Sequence, residues 1–556
     1  MEHQVTKTIG TVFDPISLEI YWNRLISIAD ESAAALLRTS FSTIVRESND
    51  FTTVLLDAQG NALAENTAGI PSFMGTLPRT LRHFLKRFPI DSWKPGDCVM
   101  TNDPWMATGH LPDVTMVMPI YHKGKLVAFS GTVAHLPDIG GSLWASDCRD
   151  LFEEGLQIPP VKYYVGGKPN PLVADFIAAN VRVPDQVFGD LEAQVIANSV
   201  AARRLSEFLD DTDVDDLQGL SSALQDRAEQ AMRRAIEVIP DETYRSVLMA
   251  DGFDAEETHI ECAITVKGST LHVDYTGTSK QIDRGLNSVM NYTYAYTVYP
   301  IKCALDALTP RNEGSYRSIT VEAPLGSILN PRYPAPCSAR QLTGHLLAGA
   351  VFSALGQAIP KQVIAGSGSA PTLRSVYSGL DRKGNRFSQV FFAAGGMGAS
   401  AVQDGHNCTS FPTNTGSGSI EAFEAITPLI VRRKEFVPDS GGIGKFRGGL
   451  GQQVEIEVTS PEALRLSLLS DGQKYPPRGL FGGGNGAPVR IETGSGAKPH
   501  PKSRTSLEPG ERLIMNFAGG AGYGLPAERG RAAILEDLRN GLVTVEAARR
   551  DYGIDI

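Results

Sequence analysis

The tetrapeptide His-Leu-Pro-Asp occurs twice within a short stretch of the chain, at residues 110–113 and at residues 135–138. Histidine is scarce, with 10 in 556 residues, so two identical settings this close together require a common structural cause. Between them lie an apolar segment, a turn at Lys123-Gly124 and a second apolar segment, a pattern typical of a β-hairpin. Such a hairpin brings both tetrapeptides side by side at its open end.

The pairing expected for this hairpin puts chemically useful side chains next to one another. Counting back from the turn places Asp113 opposite Ala134 and His110 roughly opposite Pro137. The proline in each copy disfavours helix, so the motifs are expected on stiff extended turns. Two imidazoles and two carboxylates at one place predict a divalent-metal site. The alternative left open is a structural hairpin whose His and Asp side chains only cap loops.

Composition restricts the class of protein. A length of 556 residues predicts about two to four structural units. The hydrophobic content of 42% and charged content of 21% are typical of a soluble protein with a large core. The net charge of -10 argues against nucleic acid or an anionic membrane as a partner. Because neither a signal peptide nor a membrane-spanning apolar run is found, we expect a soluble, cytoplasmic protein.

Apolar periodicity predicts an α+β fold. A large mixed α/β region that binds the metal is expected over residues 1–242, and a central mixed α/β region over 243–435. A β-rich, glycine-rich region is expected over 436–525, and a helical tail over 526–556. The predicted helices cover about residues 15–36, 76–88, 171–179, 187–209, 222–238, 292–308, 344–355, 528–539 and 545–550. The glycine clusters are interpreted as turns, because glycine-rich loops alone are weak evidence for phosphate binding.

Short motifs spread along the chain carry a resemblance to a known family. They are Arg46-Glu-Ser-Asn-Asp-Phe51, Asn102-Asp-Pro104, Gly109-His-Leu-Pro-Asp113, Ala134-His-Leu-Pro-Asp-Ile-Gly-Gly141, Glu154-Gly-Leu-Gln-Ile-Pro-Pro160, Gly189-Asp-Leu-Glu-Ala-Gln194, Gly519-Gly-Ala-Gly-Tyr-Gly524 and Val545-Glu-Ala-Ala-Arg-Arg-Asp-Tyr-Gly553. Together they resemble the hydantoinase B/oxoprolinase family over nearly the whole chain.

The resemblance implies an enzyme made of two parts. A hydantoinase A-like subunit with an actin/hexokinase-type ATPase fold is expected to use ATP and Mg to phosphorylate an amide or enol oxygen. The B-type subunit then completes the reaction, which implies a hetero-oligomer that opens a small-molecule cyclic amide such as a hydantoin, oxoproline or a lactam. The sequence contains no G-x-x-x-x-G-K-[ST] phosphate loop and no G-x-S-x-G elbow, which agrees with a separate ATPase chain. Two alternatives stay open: a component of an ATP-dependent ketone carboxylase, and a non-catalytic scaffold for the ATPase partner.

The acetone carboxylase branch of the family implies a ligand set for the metal. Its His-x-x-Asp pair and downstream histidine match His110, Asp113 and His135. A further acidic ligand from the amino-terminal segment is implied at Glu47 or Asp50. Mixed imidazole and carboxylate ligands suit Mn, Zn or Fe, and the carboxylase comparison favours Mn.

Other residues are candidates for steps in hydrolysis. Phosphorylation of the lactam oxygen gives a better electrophile, which a metal-activated water then attacks. Asp138 and Asp103 are candidates for the general base, and Asp138 is alternatively a ligand or an acceptor for an imidazole N–H. Arg46 is a candidate for pairing with a phosphate or carboxylate, with a surface ion pair as the competing interpretation.

One predicted helix carries three polar residues at a helical spacing. Asp190, Gln194 and Asn198 follow at i, i+4 and i+8, so they share one face of it. They are candidates for binding polar groups of the substrate. A solvated or interdomain helix face explains the same pattern equally well.

Overall fold

A seven-stranded antiparallel sheet carries the predicted hairpin at its centre. The computed structural model describes residues 13–212, 214 and 217–554, so the amino-terminal MEHQVTKTIG lies outside the described residues. The strands of this sheet are β1 (Phe51–Asp57), β2 (Ala62–Glu65), β3 (Cys98–Thr101), β4 (Asp113–His122), β5 (Lys125–His135), β6 (Val161–Val165) and β7 (Lys168–Pro169). Their order across the sheet is β2-β1-β5-β4-β3-β6-β7.

The hairpin exists, but its predicted register is wrong by one residue. At the turn, His122 pairs with Lys125 as counted from the sequence. A bulge then shifts the pairing, since Tyr121 faces Leu126 while the residue before it faces Ala128. Asp113 therefore lies opposite His135, and not opposite Ala134. The shift places a carboxylate and an imidazole directly across the strand pair.

Helices cover both faces of this sheet. They are α1 (Pro15–Thr39), α2 (Thr43–Arg46), α3 (Thr76–Arg87), α4 (Pro171–Asn180), α5 (Pro184–Asp211) and α6 (Leu217–Ile236). Apolar residues of α5 such as Leu191 pack with Met116 on one face. Those of α3 such as Leu81 pack with Val117 and Phe129 on the other. Because both faces are buried, β4 and β5 are apolar over most of their length rather than alternating.

A second, smaller sheet follows along the chain. It contains β8 (Thr243–Phe253), β9 (Glu256–Lys267), β10 (Thr270–Asp274) and β11 (Ile319–Glu322), in the order β11-β10-β9-β8. Three helices belong to this part of the chain: α7 (Met290–Leu305), α8 (Gln341–Gly344) and α9 (Leu346–Leu355). The apolar residues of α7 and α9 share one core with this sheet. The segment that leads from α7 into α8 and α9 reaches back to the open end of the hairpin.

Two further four-stranded sheets share one core toward the carboxyl end. Their strands are β12 (Arg374–Leu380), β13 (Arg386–Phe392), β14 (Leu429–Phe436), β15 (Gln452–Val458), β16 (Leu464–Leu469), β17 (Arg490–Thr493), β18 (Arg504–Leu507) and β19 (Arg512–Asn516). The sheets run β13-β12-β16-β18 and β14-β15-β19-β17, and helix α10 (Ile420–Ile426) precedes β14. Tyr377 and Leu466 of one sheet share buried contacts with Ile456 and Leu513 of the other. Helices α11 (Arg531–Arg539) and α12 (Val545–Tyr552) form the tail.

The glycine-rich segments lie where backbones pass very close to one another. A side chain at Gly396 would place its Cβ 1.9 Å from the carbonyl oxygen of Gly449. One at Gly483 would place it 2.1 Å from the carbonyl oxygen of Gly522. Only glycine fits at such contacts. The observed architecture confirms the predicted α+β fold with a β-rich, glycine-rich region and a helical tail; the four unit boundaries stay predictions.

Among the helices that the structure describes, none combines the length and the apolar character needed to cross a bilayer.

Candidate metal centre

Three side chains converge at the open end of the hairpin. His110 lies in the loop before β4, Asp113 begins β4 and His135 ends β5. One ligand atom from each lies within 4.8 Å of those of the other two. The distance from His110 Nε2 to Asp113 Oδ1 is 2.9 Å. Among the described residues, these three side chains form the one group of His, Cys, Asp or Glu whose geometry could hold a metal ion.

The potential ligand atoms have no hydrogen-bond partners outside the cluster. His110, Asp113 and His135 are 2%, 1% and 4% exposed, so they are shielded from bulk water. Nevertheless Nε2 of both histidines and Oδ1 of the aspartate make no hydrogen bond to any residue outside the cluster. Buried polar atoms are nearly always satisfied, and a cluster of three that face each other has the donor set that binds a divalent cation. The residues present therefore match the divalent ion that the sequence predicts.

Backbone carbonyls orient both imidazoles. Nδ1 of His110 lies 3.0 Å from the carbonyl oxygen of Ser338, and Nδ1 of His135 lies 2.8 Å from that of Leu136. A carbonyl only accepts, so each Nδ1 carries the hydrogen and each Nε2 keeps its lone pair for a ligand. The Trp144 ring packs against both imidazoles and donates its Nε1 hydrogen to Ser338 O at 2.7 Å.

The carboxylate is held by its other oxygen. Asp113 Oδ2 accepts a hydrogen bond from Thr108 Oγ1 at 2.9 Å and pairs with Arg340 Nη2 at 2.5 Å. Arg340 in turn donates from Nε to the carbonyl oxygen of Thr108 at 2.8 Å. Since these contacts occupy Oδ2, the remaining oxygen Oδ1 is left to face the two Nε2 atoms. Outer contacts of this kind orient metal ligands.

The surroundings set the protonation states that a metal requires. Burial lowers the pKa of His110, and it lowers the pKa of His135 to about 3. Burial raises the pKa of Asp113, but His110 and Arg340 lower it more strongly, so the net pKa lies below its ordinary value. Two neutral imidazoles and one carboxylate are the forms that coordinate a cation.

Of the two acidic residues predicted as a further ligand, the structure brings Asp50 to this cluster. Asp50 lines the same cavity as His110, Asp113 and His135, and its carbonyl oxygen accepts the His135 backbone N–H at 3.1 Å. Burial and the neighbouring Asp113 charge raise the pKa of the Asp50 carboxyl to about 7. Glu47 lies elsewhere, at a small surface cavity beside α2 and β13.

The two carboxylates predicted as general bases are engaged with other groups. Asp138 forms an ion pair with Arg182 and accepts the Gly140 backbone N–H at 3.2 Å. Asp103 accepts the side-chain N–H of Gln157 at 2.7 Å and a backbone N–H of its own loop at 2.9 Å. Neither lines the cavity that holds the three ligand atoms. Asp138 does line a narrow adjoining cavity that also touches His135.

Arg46 and the polar face of α5 lie apart from the cluster. Arg46 is exposed at the end of α2. Asp190 accepts the backbone N–H groups of Phe41 and Ser42, in the turn before α2, at 2.7 and 3.0 Å. Gln194 and Asn198 bond to hydroxyls of β5, including that of Thr132 at 3.1 and 3.0 Å. Successive side chains of a strand point to opposite faces, so α5 covers the face opposite His135.

Several residues that line the cavity could not be predicted as site residues from the sequence. The cavity has a volume of about 40 Å³. Its wall includes Arg340, Gln341, His345 and Arg374, which come from segments more than 200 residues beyond the first His-Leu-Pro-Asp copy. No spacing pattern links them to the motif, because the tertiary fold alone brings them there. A larger cavity of about 340 Å³ lies between β8, α9 and the loop at 471–478, and none of the three ligands lines it.

Comparison with known proteins agrees with the motifs. The model of the hydantoinase B/oxoprolinase family matches residues 14–526. The chain belongs to the hydantoinase B/oxoprolinase family. The predicted family is thereby confirmed.

Relatives in this family are named as subunits of a hydantoinase and of a caprolactamase. The B-type subunit of a putative D-/L-hydantoinase from Pseudomonas sp. (strain NS671) is 32% identical over 98% of this chain and 95% of that protein. The beta subunit of the caprolactamase from Pseudomonas jessenii is 31% identical over 98% and 96% of the two chains. The solved structure of ATP-dependent caprolactamase from Pseudomonas jessenii superposes with a TM-score of 0.90 at 29% identity, over 98% of this chain and 97% of that one.

A solved acetone carboxylase structure is also similar. The nucleotide-free form superposes with a TM-score of 0.89, covering 98% of this chain and 80% of that chain. At 19% identity this likeness shows a shared fold alone.

Proposed function

We propose that this chain is the B-type subunit of a heteromeric, cytoplasmic ATP-dependent cyclic-amide hydrolase. It opens the ring of a hydantoin, oxoproline or a lactam after an A-type ATPase subunit has phosphorylated the amide oxygen. The observation that carries the proposal is the convergence of three ligand atoms that have no hydrogen-bond partner outside their cluster, in a chain of the hydantoinase B/oxoprolinase family. Amide resonance makes the unactivated ring slow to hydrolyse, which is the reason for the ATP-dependent step.

His110, Asp113 and His135 would hold the divalent ion, and their donor set suits Mn, Zn or Fe. Such an ion supplies Lewis-acid chemistry and lowers the pKa of a coordinating water toward neutrality. The chain keeps both imidazoles neutral and Asp113 charged, and the burial of all three excludes bulk water. Asp50 adds a carboxylate to the same cavity.

The cavity also carries positive charge suited to an anionic, phosphorylated substrate. Arg374 is 4% exposed and lines the cavity beside Asp50, with a hydrogen bond to Thr415 Oγ1 at 3.1 Å. Burial lowers the pKa of Arg374 to about 10, so the guanidinium stays charged at neutral pH. Arginine is well suited to phosphate and carboxylate oxygens. Arg374 thus takes the role that the sequence pattern suggested for Arg46.

A separate ATPase chain is proposed as the source of the activated substrate. The sequence has no G-x-x-x-x-G-K-[ST] loop, and the relative of known structure is named an ATP-dependent caprolactamase. The names of the hydantoinase and caprolactamase relatives describe each as one subunit of its enzyme, which supports a partner chain that uses ATP and Mg. The assembly is therefore proposed to be a hetero-oligomer.

The proposal is tested by turnover with the co-purified A-type partner. Hydantoin, 5-oxoproline and caprolactam are each incubated with ATP, and ring opening and ADP release are followed together. His110→Ala is expected to abolish ring opening, whereas His122→Ala, at the far end of the same hairpin, is expected to retain it. Ring opening that persists in His110→Ala would contradict the proposal.

Two further assays distinguish the proposed hydrolase from the two alternative functions, a ketone carboxylase component and a scaffold. Carboxylation of acetone with bicarbonate and ATP, in the absence of ring opening, would favour the ketone carboxylase function. Full activity of the partner together with a metal-free B-type chain would favour a scaffold.

A further inference from the structure

The cavity beside the ligand cluster has a second polar wall. Gln341 begins α8 and His345 lies between α8 and α9, and both side chains line the cavity that also holds His110, Asp113 and His135. They are 5% and 4% exposed. Nε2 and Oε1 of Gln341 and Nδ1 of His345 have no hydrogen-bond partner.

These unpartnered atoms separate into two sets. Of the described side chains that line the cavity, five have such atoms: the three potential metal ligands, Gln341 and His345. A divalent ion satisfies the first set but leaves the amide of Gln341 and Nδ1 of His345 unpaired. Buried polar groups without partners are rare in folded proteins, so the second set points to a bound ligand.

Packing fixes this wall relative to the ligand cluster. His345 Nε2 lies 3.2 Å from the hydroxyl of Tyr292, and the Arg340 guanidinium lies 4.0 Å from the centre of the Tyr292 ring. Arg340 in turn pairs with Asp113. A Cβ at Gly344 would lie 2.3 Å from Tyr292, so only glycine allows α8 to approach this closely. The wall and the carboxylate ligand therefore belong to one packed unit.

We propose that Gln341 and His345 form the substrate subsite and that Gln341 recognises the cis edge of a ring amide. In a trans amide, N–H and C=O point in opposite directions, whereas a small ring holds both on one edge. The side-chain amide of Gln341 presents an acceptor and a donor side by side, so it can pair with both groups of that edge. Nδ1 of His345 bonds a further polar group. This inference rests on the proposed function, since it names the substrate class of the same site.

The Gln341 side chain can also bind the phosphorylated form of the substrate. When the amide oxygen is phosphorylated and the ring N–H releases its proton to solvent, the ring nitrogen becomes a hydrogen-bond acceptor. Rotation of the Gln341 amide exchanges the positions of Oε1 and Nε2, so the NH₂ group can then face that nitrogen. A linear amide, which is trans, offers only one of the two groups to Gln341 and binds less well.

The test uses the full chain, with its A-type partner for turnover and alone for binding. Gln341→Met keeps the side-chain length but removes both polar atoms, and Gln362→Met is the matched control because Gln362 is exposed. Three quantities are measured: metal content, kcat and KM of the complex with ATP, and calorimetric binding of hydantoin, 5-oxoproline, caprolactam and linear N-methylacetamide to the B-type chain alone. We expect Gln341→Met to keep its metal and to weaken binding of the best ring, or raise its KM, by about tenfold or more, with no such change in Gln362→Met.

A second variant covers the case in which Gln341→Met does not fold. His345→Phe removes Nδ1 but keeps a ring to pack against Tyr296, whose centre lies 4.9 Å away. It is expected to retain metal and to weaken binding of the ring. Unchanged ring binding and KM in either folded variant, or binding of N-methylacetamide as tight as that of the best ring, would overturn the subsite. Metal-loaded wild type that binds a ring but does not open it would instead contradict the proposed function.

Discussion

Replacement of Glu154 should release the metal although Glu154 does not touch it. Glu154 is 4% exposed, and its Oε1 accepts the backbone N–H groups of Cys337 and Ser338 at 2.6 and 2.8 Å. These bonds fix the turn whose Ser338 carbonyl oxygen orients His110. Glu154→Leu leaves two buried N–H groups unpaired, at about 1–3 kcal/mol each. Loss of such outer contacts typically lowers metal affinity by about 10- to 100-fold.

Glu154→Gln is the matched control for this variant. Its side-chain oxygen can still accept both N–H groups, so metal affinity is expected to stay within about twofold of wild type. Affinity is measured by competition with a chelator of known strength, on protein shown to be folded by circular dichroism. Equal affinity of folded Glu154→Leu and wild type would refute the reasoning, because Ser338 would then not depend on Glu154 for its position.

Three other predictions follow from the same contacts. Burial raises the pKa of Glu154 to about 8, so the folded state keeps a proton that the unfolded state loses above its ordinary pKa. Between pH 5 and 8 the free energy of unfolding of wild type should therefore fall by up to about 1.4 kcal/mol per pH unit relative to that of Glu154→Gln. Denaturant titrations measure both free energies, and an equal pH dependence of the two proteins would contradict the prediction. Thr108→Val removes one hydrogen bond to Asp113 and should lower metal affinity about tenfold in the chelator assay. Asn198→Leu should lower the free energy of unfolding by about 1–3 kcal/mol but leave metal content and KM unchanged, and a large rise in KM would instead support a substrate role for Asn198.

The hairpin was predictable because its evidence is local. Two apolar segments, the glycine-containing turn between them and the two identical tetrapeptides all lie within one short stretch of the chain. The turn itself carries positive φ at Lys123 and Gly124, as tight hairpins require. The bulge near Tyr121 was not predictable, since nothing in the composition of that segment marks an extra residue.

The two tetrapeptides differ in role although their sequences are identical. In an antiparallel pair, the aspartate of the first copy meets the histidine of the second, and Asp113 lies opposite His135. Asp138 lies three residues beyond the end of β5, where Arg182 neutralises it. The identity of the two copies therefore predicted that two imidazoles and two carboxylates converge, whereas strand geometry brings three of these side chains together.

The polar face of α5 shows a second limit of sequence reasoning. The spacing of Gln194 and Asn198 correctly indicates that they share a helix face. It does not reveal whether water, a substrate or another element covers that face. Here the hydroxyls of Ser130 and Thr132 cover it. The wall formed by Gln341 and His345 is likewise a product of tertiary packing alone.

Metal content of the purified chain, measured by mass spectrometry, tests the central claim most directly. Wild type purified with its partner is compared with the double variant His110→Ala/His135→Ala and with His122→Ala as the control. The predicted result is near-stoichiometric Mn, Zn or Fe in wild type and control, and its loss in the double variant. Metal-free wild type, or a double variant that keeps its metal, would contradict the claim that these residues hold a catalytic ion.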